Sequence, residues 1–245
     1  MNTTIAQLLK HRSIRRYTQQ LVSEEQLLQI VQAAQCASSS SNMQAYSVIA
    51  VSDAEKKQKL ALLAGNQRQI EECPIFLVWC ADLLRMKVAC ASIETLPIPS
   101  TTEYFMVATI DAALAAQNAA VAAESLGLGI VYIGGVRNQP QEVSKLLNIP
   151  DHVYPVFGMC LGYPGEAPTL RPRLPVQTIL HHEQYSTEHY EAGVAQYDEQ
   201  MKHYMLNRTG GKNDSTWSAE MAAKLRGTGR THMKSFLQER GFLRD

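Results

Sequence analysis

The sequence predicts a folded chain in which helices and strands share one core, and three observations carry that expectation. Hydrophobic residues make up 45% of the 245 and charged ones 19%, with only 14 Gly and 10 Pro. That balance buries a core and excludes a disordered or fibrous chain. Four short runs rich in β-branched and aromatic residues, at 46–51, 75–81, 129–134 and 154–162, are bounded by turn residues, as core strands are. Helical periodicity fills the stretches between them. The length fits a single domain over 1–245, with a core at 1–165 and an extended arm and helical excursion at 166–245.

Each element has its own local warrant. Ser23 stands three residues before Gln26, a capping box, and Leu27, Leu28, Ile30, Val31 and Ala34 then recur on one face, so a helix is expected over about 24–36. The longest helix, about 102–127, carries nine Ala between 108 and 123, which allows close approach on more than one side and marks it as central. Gly127 suits its end and Gly129 opens the next strand. Past 165 the Pro-rich GEAPTLRPRLPVQ reads as an ordered extended arm. Helices near 187–206, 217–225 and 231–239 follow, with a Gly-Gly-Lys-Asn loop at 210–213.

Several function classes are excluded. Lys plus Arg equals 23 and Asp plus Glu equals 23, so the chain lacks the broad basic face of a nucleic-acid or membrane-surface binder. The five cysteines (Cys36, Cys73, Cys80, Cys90, Cys160) form no CxxC pair and lie mostly in apolar runs, which reads as reduced core thiols in a cytoplasmic protein. The N-terminal MNTTIAQLLKHRS has no basic stretch ahead of an apolar one and does not read as a secretory signal. The most apolar segment, 104–123, contains Asp111, Gln117 and Asn118, which argues against a membrane span. Motifs for dinucleotide-binding Rossmann domains, P-loop NTPases, Ser hydrolases and zinc peptidases are missing, and His181-His182 has no partner at metal-ligand spacing.

What remains is local anion chemistry. Residues 1–23 hold Lys10, His11, Arg12, Arg15 and Arg16 and no acid. On a helical continuation, Arg12 and Arg15–Arg16 would share one face beside the Ser13 hydroxyl. A second acid-free window, 167–182, carries Arg171 and Arg173 two residues apart on extended chain, hence pointing the same way. Each cluster also fits a solvated basic face or ordinary ion pairs. Ser38 to Ser41 reads either as a helix-ending loop or as hydroxyls for a polyol or phosphate. Tyr132-Ile133-Gly134-Gly135 reads either as a tight turn or as backbone N–H groups open to a flat ligand.

Taken in order, several segments resemble a known family: His11-Arg12-Ser13-Ile14-Arg15, Ser38 to Ser41 with Gln44, Ala-Gly-Asn-Gln at 64–67 and Ala-Ala-Gln-Asn at 115–118. The series continues with Ala-Glu-Ser-Leu-Gly-Leu-Gly at 123–129, Tyr-Ile-Gly-Gly at 132–135, Pro-Arg-Leu-Pro at 172–175 and Gln-Tyr-Asp-Glu at 196–199. The chain thereby resembles the oxygen-insensitive NADPH nitroreductase and flavin reductase family, in its NADPH-preferring branch, over nearly its whole length. The resemblance implies an α+β fold with a mostly antiparallel or mixed central sheet flanked by helices. It further implies a homodimer with FMN at the subunit interface and the C-terminal extension exchanged between subunits.

By position, the resemblance assigns His11, Arg12, Arg171 and Arg173 to the FMN phosphate, with Ser13 nearby, and Arg15 to the N1/O2 edge of the flavin. Ser39, Ser40 and Gln67 would meet ribityl and ring polar atoms; Tyr132, Ile133, Gly134 and Gly135 would line the ring, with the Gly134 N–H at N5. No catalytic side chain and no metal is implied, because the cofactor carries the chemistry: NADPH reduces FMN and leaves, then a nitroaromatic, quinone or free flavin is reduced. Arg208 and Lys212 are the candidates for the NADPH 2′-phosphate, with Asn213 where the family has a second Arg. Neither nucleic acid nor membrane is an expected partner. The alternatives are a flavin-binding protein without turnover, or a disulfide or other-acceptor reductase on the same fold.

Overall fold

The computed structural model describes residues 2–91, 93–94, 97–98 and 100–244. They fall into two compact units, one formed by residues up to Pro168 together with those from Arg230 onward, the other by Thr169–Gly229. Four of the residues at 90–103, the stretch that composition and family position mark as the mobile element near a site, lie outside the described ones.

The first unit begins with α1 (Thr3–Leu9) and α2 (Glu24–Gln35). The Ser23–Gln26 capping box is present in full at the start of α2. Then come β1 (Tyr46–Val51), α3 (Ala54–Leu63), α4 (Arg68–Glu72), β2 (Ile75–Asp82), α5 (Leu84–Ala91) and α6 (Thr102–Ser125). The series continues with β3 (Gly129–Ile133), α7 (Pro140–Leu146) and β4 (Val153–Gly162). The strands form one sheet in the order β1-β2-β4-β3, every neighbouring pair antiparallel.

Every residue of β2 is buried. This strand therefore reads as a continuous apolar run although its sheet is antiparallel, because helices cover both faces. Phe76, Val78 and Cys80 pack to one side with Leu60, Ile70 and Val143 of α3, α4 and α7. Leu77 and Trp79 face the other, against Ile30 and Ala34 of α2 and the alanines of α6. The side chains thus alternate with the strand period of two. Pro155, which has no N–H to give a ladder, stands at a register shift between β2 and β4, where Cys80 pairs with Pro155 but Trp79 with Phe157.

Helix α6 spans 24 residues and is long and apolar enough, by length and composition alone, to cross a membrane. Its buried stripe is instead committed to the core: Ala108, Asp111, Ala112, Ala115, Ala116, Ala119, Ala120 and Ala123. Small side chains let it lie close to the sheet. Thr101 caps its start, and past its end Gly127 takes a φ of 78°, with the Leu128 N–H closing back onto the Ala123 carbonyl at 3.0 Å. Met106, Ile110 and Leu114, one helical face apart by four residues each, remain about half exposed.

The structure revises four local expectations. No helix runs through Arg12–Arg16: α1 stops at Leu9, and the Ile14 N–H donates to the Ile130 carbonyl at 2.9 Å. Burying Ile14 and Tyr17 against the sheet outweighs continuing a short helix, and Gly129 leaves the room that Ile14 fills. The strand expected over 129–134 ends at Ile133, and Gly134–Arg137 form a 3-10 turn. Cys73, Cys80 and Cys160 are buried, but Cys36 is exposed and Cys90 partly so, because both sit toward the solvent side of helix ends. The helix expected near 187–206 is displaced to 190–209, ending where Gly210 adopts the left-handed conformation.

The first unit closes with α10 (Met233–Glu239), whose segment buries Phe236, Leu237 and Phe242 against Ala108, Ala112 and Tyr154. The second unit, by itself, holds an irregular stretch with Arg171 and Arg173, a 3-10 turn at Val176–Thr178, α8 (Tyr190–Thr209) and α9 (Trp217–Leu225). Its small core joins Tyr197, Met201 and Met205 with Leu174 and Trp217. The Tyr197 hydroxyl donates to the Pro172 carbonyl at 3.0 Å, which fixes the Arg-bearing stretch to α8.

Candidate active site

A cavity of about 270 Å³ opens at the C-terminal end of β3. Strand and turn supply Val131, Tyr132, Ile133, Gly134, Gly135 and Asn138; the turn into α4 supplies Ala64, Gln67 and Gln69; the segment after α1 supplies Arg15; and Arg230 comes from the C-terminal segment. The floor depends on close backbone approach. A Cβ on Gly135 would stand 2.3 Å from the Ala64 carbonyl oxygen, so only glycine lets the 3-10 turn meet the end of α3. Gly65, at φ +88°, turns the chain toward Gln67, and a Cβ there would meet the Asn138 amide nitrogen at 3.1 Å.

The lining contains guanidinium, carboxamide, hydroxyl and backbone groups and no Asp or Glu. Tyr132 donates its hydroxyl to Gln117 Oε1 at 3.4 Å, and burial, with the Glu124 charge adding, holds its phenol well above the usual range. It therefore stays a neutral donor. The Gln69 carboxamide donates to Gln67 Oε1 at 2.5 Å. Arg15 is anchored through its backbone N–H, which donates to Glu166 Oε1 at 2.6 Å; the same oxygen accepts the Arg16 N–H at 3.2 Å.

Six of the residues expected from the sequence thus share one cavity: Arg15, Gln67, Tyr132, Ile133, Gly134 and Gly135. The others lie elsewhere. His11 pairs with Glu124, Nδ1 to Oε1 at 2.5 Å, and Arg12 donates to the Pro168 carbonyl at 3.1 Å, with Ser13 between them and Ile14 in the chain. The two are held by different partners. Ser39 and Ser40 sit in a loop where the Ser39 hydroxyl accepts the Gln44 N–H at 3.3 Å. The Ser40 N–H donates to Asp111 Oδ1 at 3.0 Å, and Ala45 donates to Oδ2 at 3.0 Å. In the second unit Arg171 pairs with Glu220 at 3.4 Å, Arg208 occupies the last turn of α8 and Lys212 the loop beyond, both exposed. Asn213 turns its Oδ1 onto the Ser215 N–H at 2.8 Å.

Sequence reasoning missed Gln69, Asn138 and Arg230 in the lining and Asp111 as the anchor of the serine loop. Asn138 stands one turn past the Gly-Gly pair and was open to inference. Arg230 carried no local signal, since a lone Arg between Gly229 and Thr231 reads as surface. Among the described residues no group of three or more His, Cys, Asp or Glu is placed to hold a metal ion.

An α+β fold with an acid-free, donor-lined cavity at the end of a strand defines a class of protein equipped to hold a ligand with acceptor atoms along its edge. Comparison with known proteins names that class. Residues 8–163 match the nitroreductase family and 171–245 the C-terminal domain of the same family, and the chain belongs to it. It is 45% identical to the FMN reductase (NADPH) of Bacillus subtilis, with 99% of both chains covered. To the NADPH-flavin oxidoreductase of Vibrio harveyi it is 40% identical, with 98% of both covered. The solved structure of a nitroreductase from Bacillus subtilis superposes with a TM-score of 0.95 at 43% identity, covering 99% of this chain and 100% of that one.

Proposed function

We propose that this chain is an FMN-dependent NADPH oxidoreductase that reduces nitroaromatics, quinones or free flavin in a ping-pong cycle, as a cytoplasmic homodimer. The observation that carries the reading is the cavity joining Arg15, Gln67, Gly134 and Gly135. FMN, when bound, supplies reversible two-electron chemistry that no side chain of the lining offers. The residues fit it. A flavin ring presents carbonyl and ring-nitrogen acceptors along one edge, and the lining presents guanidinium, carboxamide and backbone N–H donors with no carboxylate to repel them.

Arg15 has the strongest part. A guanidinium beside a ligand that gains negative charge on reduction favours the reduced form, so Arg15 raises the tendency to accept electrons from NADPH. Gln67, Tyr132 and Ile133 orient the ring, and Gly134 and Gly135 bring backbone close without a side chain in the way. Arg12, Ser13 and His11 are proposed for the phosphate from the first unit, Ser39 and Ser40 for the polyol chain. Arg171 and Arg173 are proposed as anion donors in the second. Arg208 and Lys212, both exposed, are proposed for the 2′-phosphate of NADPH.

The dimer is supported by the half-exposed stripe Met106, Ile110 and Leu114 on α6, together with Ile5, Leu8 and Leu9 exposed on α1. Such a surface is costly to leave in water. The reduced state of the core thiols suits a cytoplasm, and burial pushes the Cys80 thiol up to about 12, out of thiolate chemistry. The reading is tested by reconstituting the protein with FMN and measuring NADPH oxidation with a nitroaromatic acceptor; sedimentation at micromolar protein tests the dimer.

A further inference from the structure

One guanidinium, that of Arg230, lines the cavity, and a second, that of Arg137, lies just behind the lining. Arg137 lies half-buried beneath Gly134, where a Cβ would be 3.2 Å from its Nη2, and it donates to the Val156 carbonyl. Arg230 lines the cavity from the C-terminal segment, its Nε held by Asn138 Oδ1 at 2.9 Å. Neither forms an ion pair among the described residues. Burial first and the Arg230 charge second make the Arg137 guanidinium easier to deprotonate than usual, so the two repel each other.

Arg230 is exposed, but the segment that carries it is anchored. Two residues on, His232 Nε2 bonds the Arg137 carbonyl oxygen at 2.9 Å, and Phe236 and Phe242 bury the segment in the first unit's core. Among the described residues only Nε of Arg230 is bonded to protein, so its two terminal nitrogens can act as a fork. A guanidinium with no acid beside it among the described residues, and a second cation behind it, suits a bound anion. Arg15 already provides the cation that a planar cofactor needs, so a second cation on a separately anchored segment calls for a different anion.

We infer that Arg230, with Arg137 behind it, recognises a fixed anionic group on the electron acceptor, so that acceptors bearing a carboxylate are preferred to neutral ones of the same shape. The inference rests on the flavin-oxidoreductase reading. It names a substrate class for that site.

The test uses the FMN-loaded protein with 4-nitrobenzoate and 4-nitrobenzamide, which share ring and nitro group and differ in charge. The wild type is expected to show a higher kcat/KM for the benzoate, and Arg230→Gln to lower the benzoate-to-benzamide ratio about tenfold, the size of one charge-assisted hydrogen bond. Arg230→Lys should restore part of it. A second readout needs no turnover: benzoate titrated into the oxidised protein without NADPH, followed by the flavin absorbance, should bind about tenfold more weakly to Arg230→Gln. An unchanged ratio overturns the inference. So does a rise in the NADPH KM alone, which would assign Arg230 to the donor, or a loss of FMN retention with the ratio intact, which would assign it to the cofactor. Failure of the underlying reading looks different, because then the wild type takes up no FMN.

Discussion

Asp111, in the middle of α6, accepts the backbone N–H of Ser40 at 3.0 Å across 71 residues of chain, and its second oxygen accepts that of Ala45 at 3.0 Å. The carboxylate is 1% exposed. Within the loop it holds, Ser41, Asn42 and Gln44 all have positive φ, at 47°, 57° and 50°. Backbone of that kind is unfavourable for L-residues and persists only where its surroundings hold it. One buried acid thus keeps the serine loop in shape.

Asp111→Asn tests that claim. An amide can accept only one of the two N–H groups, and the other is left buried without a partner, at about 1–3 kcal/mol. For a chain of this size each kcal/mol lowers Tm by about 2–4 °C. The variant should melt several degrees lower by calorimetry and release FMN more readily. An unchanged Tm would show that the loop does not depend on the carboxylate.

Arg15→Ala should retain the fold, since the side chain is exposed and the Arg15 anchor to Glu166 is through its backbone N–H. FMN affinity should fall by about one to two orders of magnitude, the value of a hydrogen bond from a charged group. Fluorescence titration of the apoprotein measures it, and flavin retention equal to wild type contradicts the assigned role.

Gly135→Ala should be more damaging than its size suggests. The added methyl would face the Ala64 carbonyl oxygen at 2.3 Å, and because that oxygen is backbone and cannot swing aside, the turn must move. Loss of FMN binding with retained far-UV circular dichroism is the expected result; normal binding would mean the turn tolerates a shift.

How much of this was legible in the sequence varies by feature. All four strands were readable because each is a short apolar run between turn residues, and the core role of α6 was readable from its alanines. The order β1-β2-β4-β3 was not, because alternation along one strand says nothing about its neighbours. The anion cluster at Arg12–Arg16 was visible, but its extended backbone was not, since Ile14 and Tyr17 decide it through contacts with the distant β3 and β4 segments. In the sequence Asp111 argues only against a membrane span, because its partners, Ser40 and Ala45, lie in a segment that sequence spacing does not connect to it. Arg230 reaches the cavity only because Phe236 and Phe242 bring its segment back to the first unit.

His152 gives the fold a pH dependence. Burial lowers its pKa below the usual value, the Asp151 charge partly offsets this, and Lys87 and Arg244 reinforce it. Among the described residues its Nδ1 is buried without a partner, and its backbone N–H donates to the Arg240 carbonyl at 2.8 Å. The unfolded chain then binds the proton more readily, so this contribution to stability is complete above about pH 6.5 and is lost as pH falls through the lower folded value. Between pH 7.5 and 5.5, His152→Asn, which tolerates the native φ of 61°, should lose less Tm than the wild type. Equal losses would place the acid sensitivity elsewhere.

The nucleotide preference should be modest. Arg208 and Lys212 are exposed on α8 and its following loop, while Asn213, also exposed, has its Oδ1 engaged by the Ser215 N–H, so on the proposed reading a 2′-phosphate would meet one directional partner, Arg208, instead of two. NADPH should exceed NADH in kcat/KM, and Arg208→Ala should remove most of the difference. Equal values in the wild type contradict this.

On the proposed reading, the cavity around Arg15, Gln67 and Gly134 holds a flavin that turns over. It is tested most directly by the absorbance spectrum of the protein after incubation with FMN and removal of excess, followed by anaerobic addition of NADPH. Flavin bands that bleach on mixing and return when a nitroaromatic is added are the expected result. A protein that stays colourless, or a yellow one that NADPH does not bleach, would contradict it.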